Sequence, residues 1–215
     1  MVSSSVSGRK YSSELRAAQA AATRERVVAA ASGLFAERGF AATTMPEIAR
    51  RAGVSTETVQ SHGPKQALLT AAINAATFGG DDDTDARDTE LGALMLAVST
   101  GPEAATATAA VLTQVNSSVH GLWLSLSEAA RHDAVMADTL GALAGRIREQ
   151  NVTLMREWER RGYLRDDVSF EDLVDRALLI GSVEVFDRAV RIDRMTPDAY
   201  TRSLGAMIAD VLLAS

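Results

Sequence analysis

Residues 44–65 read TMPEIARRAGVSTETVQSHGPK. Thr44 followed three positions later by Glu47 has the spacing of a capping box, in which hydroxyl and carboxylate take up orphan N–H groups at a helix start. Pro46 falls in the first turn, where its missing donor costs little. Ile48, Ala49 and Ala52 recur at helical spacing, which turns Arg50 and Arg51 outward. Gly53 follows the last periodic residue and can take the left-handed conformation that stops a helix. Val54 points back inward, and Ser55 is placed to cap a second short helix containing Thr58 and Val59. Two short helices joined by a Gly-containing turn form a helix-turn-helix, and the small Ala49 lets them cross closely.

The composition around this motif bounds the rest. A chain of 215 residues can bury a substantial core. Ala is abundant, Pro and aromatics are scarce, and a mean hydropathy of +0.00 is the balance of a water-soluble globule rich in helix. Cys is absent, so disulfide and thiolate chemistry are excluded, in keeping with a reducing interior. No apolar run reaches bilayer length and the start lacks a signal-peptide core, so a cytoplasmic location is expected. The net charge of −6 is unevenly divided. Residues 1–78 hold nine Lys and Arg against five acids, a net of +4, and the remainder nets −10. Phosphate binding needs only local positive charge, so a basic module on an acidic body is consistent with a nucleic-acid partner.

Read in order, residues 1–17 are Ser-rich and aperiodic, and are expected to be a disordered arm on which Arg9, Lys10 and Arg16 could follow a groove or phosphates. Val27, Ala31, Leu34 and Phe35 then mark the buried face of a helix from about Ala18 to Arg38, stopped at Gly39. After the helix-turn-helix, Gly63-Pro64 opens a fourth helix with Leu68, Leu69 and Ile73 inward, so that 18–77 form one domain. Residues 79–87 (GGDDDTDAR) are a solvated acidic turn whose spacing does not meet a calcium loop. Helices are expected at 88–98, at 103–131 as one long helix or one kinked at Gly121, at 133–161, at 170–194 and from Pro197 to Leu213. Residues 78–215 thus form a second helical domain. No strand-like alternation of useful length occurs. The fold class is all-α.

A helix ending in ERGF, then AATTMPEIARRAGVS, TETV and GPKQALL, resembles the DNA-binding domain of the TetR family of transcriptional regulators over residues 20–77. The AGVS turn also occurs in LacI-type repressors, but those lack the long preceding helix. The TetR resemblance implies a homodimeric repressor of operator DNA whose C-terminal domain binds a small-molecule effector. The chain departs from the family where a Tyr usually follows the T-[L/V] pair of the recognition helix: here Gln60 stands there, followed by a shortened Ser61-His62-Gly63 turn. Operator preference should change accordingly.

Within this frame Thr44 and Lys65, both at helix N-termini, are expected at phosphates, with His62 also in reach. Ser55, Thr56, Glu57, Thr58, Gln60 and Ser61 lie on the recognition helix, where Glu57 could accept from cytosine N4 or repel phosphate. Small residues Ala177, Gly181 and Ser182 on the penultimate helix suit close packing against a second subunit. Met95, His120, Trp123, Met155, Trp158 and Phe186 are the bulky or adaptable residues expected around an effector. His120 stands out, because a buried imidazole needs a partner or a ligand. An enzyme is disfavoured: nucleotide-loop, zinc-protease and nucleophile-elbow motifs are missing, and the three His lack metal-ligand spacing, so neither cofactor nor metal is expected. The rival reading is a helical dimer whose DNA binding has lapsed, acting through ligand or protein binding.

Overall fold

A computed structural model describes residues 5–77 and 90–214, with side chains from 15–77 and 92–214. The expected acidic turn at 79–87 lies outside the described residues. Ten α-helices are described: α1 Ser5–Ala42, α2 Met45–Ala52, α3 Thr56–Ser61, α4 Lys65–Ala76, α5 Glu90–Leu96, α6 Gly101–Ala130, α7 Ala134–Arg160, α8 Phe170–Ile180, α9 Val183–Phe186 and α10 Pro197–Leu212. A π-helical turn, Asp187–Ile192, continues α9. The fold is all-α. Packing divides the chain into two compact units, Met1–Ala72 and Ile73–Ser215.

In the first unit α1 runs back to Ser5, through most of the stretch expected as an irregular arm. That stretch lacks an apolar stripe, which removed the periodic signal, but it contains no Pro and only Gly8 to interrupt a helix. At the other end Gly39 (φ 80, ψ 169) breaks the helical path as anticipated. Val27, Ala31, Leu34 and Phe35 are buried with Ile48, Ala49, Val59, Leu68 and Leu69, so one apolar face from each of four helices makes the core. Thr43 is buried beside them, and its hydroxyl donates to the Gly39 carbonyl at 2.8 Å, covering an acceptor that the break leaves without a helical partner.

The second unit is built on α6, α7 and α10. Thr100 and Glu103 form a capping box at the start of α6, with Pro102 in its first turn. The helix continues to Ala130 without a break at Gly121, the single long helix of the two alternatives. Where α10 crosses α6, a Cβ on Gly205 would meet Ala109 at 3.6 Å, an ordinary van der Waals contact. The helix expected over 170–194 is interrupted. Ser182 caps α9 by accepting from Val185 N (3.3 Å), and the freed Gly181 carbonyl accepts from Asn116 Nδ2 of α6 (3.1 Å). A Cβ on Gly181 would sit 3.0 Å from Leu112, so this small residue lets α6 approach within the same chain. No helix among the described residues is long and apolar enough to cross a membrane.

Candidate nucleic-acid interface

The helix-turn-helix forms as its residues dictate. Glu47 Oε2 accepts from the Thr44 backbone N (3.0 Å) and hydroxyl (2.8 Å), and these two bonds hold the carboxyl below the usual glutamate range. Gly53 adopts φ 68, ψ 37 and ends α2, its neighbour Val54 N donating to the Ala49 carbonyl at 3.1 Å. Ser55 caps α3 by accepting from Thr58 N at 3.1 Å. Val59 is fully buried beneath α3, whereas Glu57, Gln60 and Ser61 are exposed and Thr56, Thr58 and His62 half-buried. One side of this short helix is thus anchored in the core and the other is presented to solvent.

The polar groups on that outer side are not equally available. Ser55 and Thr58 hydroxyls lie 3.1 Å apart, and the Ser61 hydroxyl donates to the Thr58 carbonyl at 2.7 Å. Glu57 is turned toward the start of its own helix, where backbone and Ser55 hydrogen bonds keep its carboxyl below the usual range. It stays ionised near neutrality, already served by donors of this chain. Thr56, Gln60 and His62 have no such internal engagement recorded.

Three basic side chains have tasks that local sequence did not reveal. Lys65 Nζ donates to the carbonyls of Phe40 (2.8 Å) and Thr43 (3.0 Å) and lies 4.1 Å from the Phe40 ring centroid. Two of its three N–H donors therefore staple the end of α1 and the start of α2 to α4, and burial pushes the ammonium below the usual lysine range. One N–H of the ammonium is left over for a further acceptor. Arg51 pairs in bidentate fashion with Glu37 of α1 (2.8 and 2.6 Å), its guanidinium filling the space over Gly33. Arg38 pairs with Glu47 at 2.8 Å. Partners 9 to 25 residues apart carry no periodic signal. Arg24, Arg26 and Arg50 are exposed and extend the positive surface.

A sequence model of the bacterial regulatory proteins of the tetR family matches residues 27–72, the span that contains this geometry. Over residues 27–72 the chain is similar to the tetR family of bacterial regulatory proteins. Regulators of that family bind DNA through a helix-turn-helix and are not enzymes. No curated protein matches the sequence. Solved structures share the fold over most of the chain. One is NalD, the secondary repressor of the MexAB-OprM multidrug efflux pump in Pseudomonas aeruginosa, with 18% identity, TM-score 0.63, and 92% of this chain and 98% of that one covered. Another is the fatty acid degradation regulator FadR from Bacillus halodurans, with 16% identity, TM-score 0.66, and 86% and 94% covered. A third is SmeT in complex with triclosan, with 17% identity, TM-score 0.64, and 90% and 93% covered.

In the second unit the residues expected around an effector separate into two groups. Met95, Met155 and Trp158 line one cavity of about 30 Å³ in the helical unit, together with Thr108 and Asn151. His120 and Trp123 lie elsewhere, clamping α6 to the segment around α9. His120 Nε2 is 2.6 Å from Asp187 Oδ1, and Trp123 Nε1 donates to Glu184 Oε1 at 2.7 Å. Phe186 packs edge-on to both His120 and Tyr200. The imidazole thus has a carboxylate partner within the chain, which sequence reasoning missed because 67 residues separate the two.

Proposed function

We propose that the protein is a homodimeric, effector-responsive repressor that reads a palindromic operator in the cytoplasm. The observation that carries this reading is the outer face of α3, with Val59 buried beneath it and Thr56, Gln60 and His62 on the solvent side. A helix so mounted fits the major groove, Gln60 and Thr56 reaching base edges, Thr58 and Ser61 supporting them. Thr44, His62, Arg50 and the remaining donor of Lys65 serve phosphates. A single such helix reads few base pairs, and two copies about 34 Å apart would occupy successive half-sites.

For the dimer, α8 and α10 are the natural surface. Leu179 is 69% exposed in the single chain, and the half-buried Leu178, Met207 and Val211 lie on the same pair of helices. For the effector, the cavity at Met155 and Trp158 is the seat, by analogy with the triclosan complex of a protein of the same fold. Effector binding would favour a dimer state whose two α3 helices no longer fit adjacent grooves.

Selection of bound fragments from a random duplex pool tests this reading. A recovered two-fold symmetric site with half-site centres one helical turn apart is expected. Binding that neither selects a sequence nor falls with salt would instead support a helical dimer that has lost DNA recognition.

A further inference from the structure

The cavity of the helical unit has a chemistry that narrows what can enter it. Among the described residues, only four buried side-chain polar atoms lack a hydrogen-bond partner, and two of them belong to its walls: Thr108 Oγ1 on α6 and Trp158 Nε1 on α7. Thr108 is 7% exposed and Trp158 3%, so bulk water does not satisfy either. A buried indole N–H left unpaired is costly, and it can only donate. Thr108 can donate or accept. Asn151, the third polar residue of the walls, spends one of its two amide N–H groups on the Ile147 carbonyl. The remaining walls are Leu, Ile, Ala and Met, and not one lining residue carries a charge.

We propose that this cavity takes an uncharged, largely apolar ligand bearing one oxygen acceptor, held by the Trp158 indole N–H and the Thr108 hydroxyl. This rests on the reading of the helical unit as effector-binding and deepens it by naming the ligand class. An acceptor is required because Trp158 has only a proton to offer. Charge is excluded because an ammonium or carboxylate would lose its hydration with no counter-ion in the walls to replace it. The volume of about 30 Å³ admits the oxygen-bearing head alone. The unbranched side chains of Met95 and Met155 adapt to seat the tail.

The chain has two Trp, so protein labelled with 15N at the indoles gives two N–H resonances, assigned with Trp123→Phe. Trp123, already bonded to Glu184, is the internal reference. Full-length protein is titrated with 1-hexanol, hexanoate and hexylammonium. Hexanol is expected to move the Trp158 resonance downfield and leave that of Trp123 in place, with the two ions at least about tenfold weaker. Thr108→Val should weaken hexanol about five- to tenfold while leaving the melting temperature of the free protein unchanged or raised, since it removes an unpaired hydroxyl. A Trp158 resonance that stays still under hexanol, or ions that bind as well as the alcohol, would overturn the assignment. Movement of Trp158 with no change in duplex binding would uphold the cavity chemistry and refute its role as effector site.

Discussion

Lys65 shows how one side chain can be read in two ways until its neighbours are known. At the start of α4 it has the position of a phosphate ligand, yet its ammonium already bonds the Phe40 and Thr43 carbonyls. Lys65→Met keeps the aliphatic stem over the Phe40 ring and removes both donors. It should cost about 1–2 kcal/mol of stability in a thermal or urea melt. Duplex binding should weaken alike for every sequence, because the scaffold of α3 loosens. Gln60→Ala should leave the melt unchanged and alter the ranking of operator variants in competition gel shifts, as expected of a base-edge contact. Equal behaviour of the two variants in both assays would contradict these roles. At Glu57, hydrogen bonds from its own helix start and from Ser55 hold the carboxyl below the usual glutamate range.

At the scale of elements, the turn between α2 and α3 depends on one backbone conformation. Gly53 sits at φ 68, and a Cβ there would meet nothing within 4 Å. The cost of Gly53→Ala is therefore conformational alone, about 1 kcal/mol, and visible as a lower urea midpoint with an unchanged m-value. Acid should act on the same unit. Glu37, Glu47 and Glu57 all have carboxyls lowered from the ordinary 4.5, by Arg51, by Thr44, and by the helix start with Ser55 respectively. A lowered folded-state value means that the stabilisation is complete above the unfolded value and is lost as pH falls through the folded one. Melting temperature should hold from neutrality to about pH 5 and drop below 4.5. A flat profile down to pH 3 would show these bonds to be energetically idle.

For the whole molecule, the charge division and the exposed face of α8 and α10 make the two-copy arrangement testable. Leu179→Glu puts a carboxylate where an apolar side chain is 69% exposed in the single chain. In sedimentation equilibrium it should shift the protein toward monomer. Operator affinity should fall at least about tenfold, since two linked half-site contacts become one. A variant that stays dimeric would move the interface elsewhere. Much of the architecture was legible beforehand: the capping box at Thr44, the stop at Gly39 and the start of the last helix at Pro197 are signals within four residues of one another or less. The break at Gly181 was not, because it is completed by Asn116 and Leu112 from α6.

Local signals, in which the residues that cap, stop or stripe a helix are chain neighbours, were enough to specify an all-α chain with a helix-turn-helix between Thr44 and Ser61. Tertiary structure alone decided which polar groups are left for a partner. Lys65, Arg51 and His120 found theirs at Phe40 and Thr43, Glu37 and Asp187, whereas Trp158 and Thr108 found none. Hydrogen-bond and ion-pair partners are chosen by distance in space, and packing brings together residues whose separation along the chain carries no periodic trace.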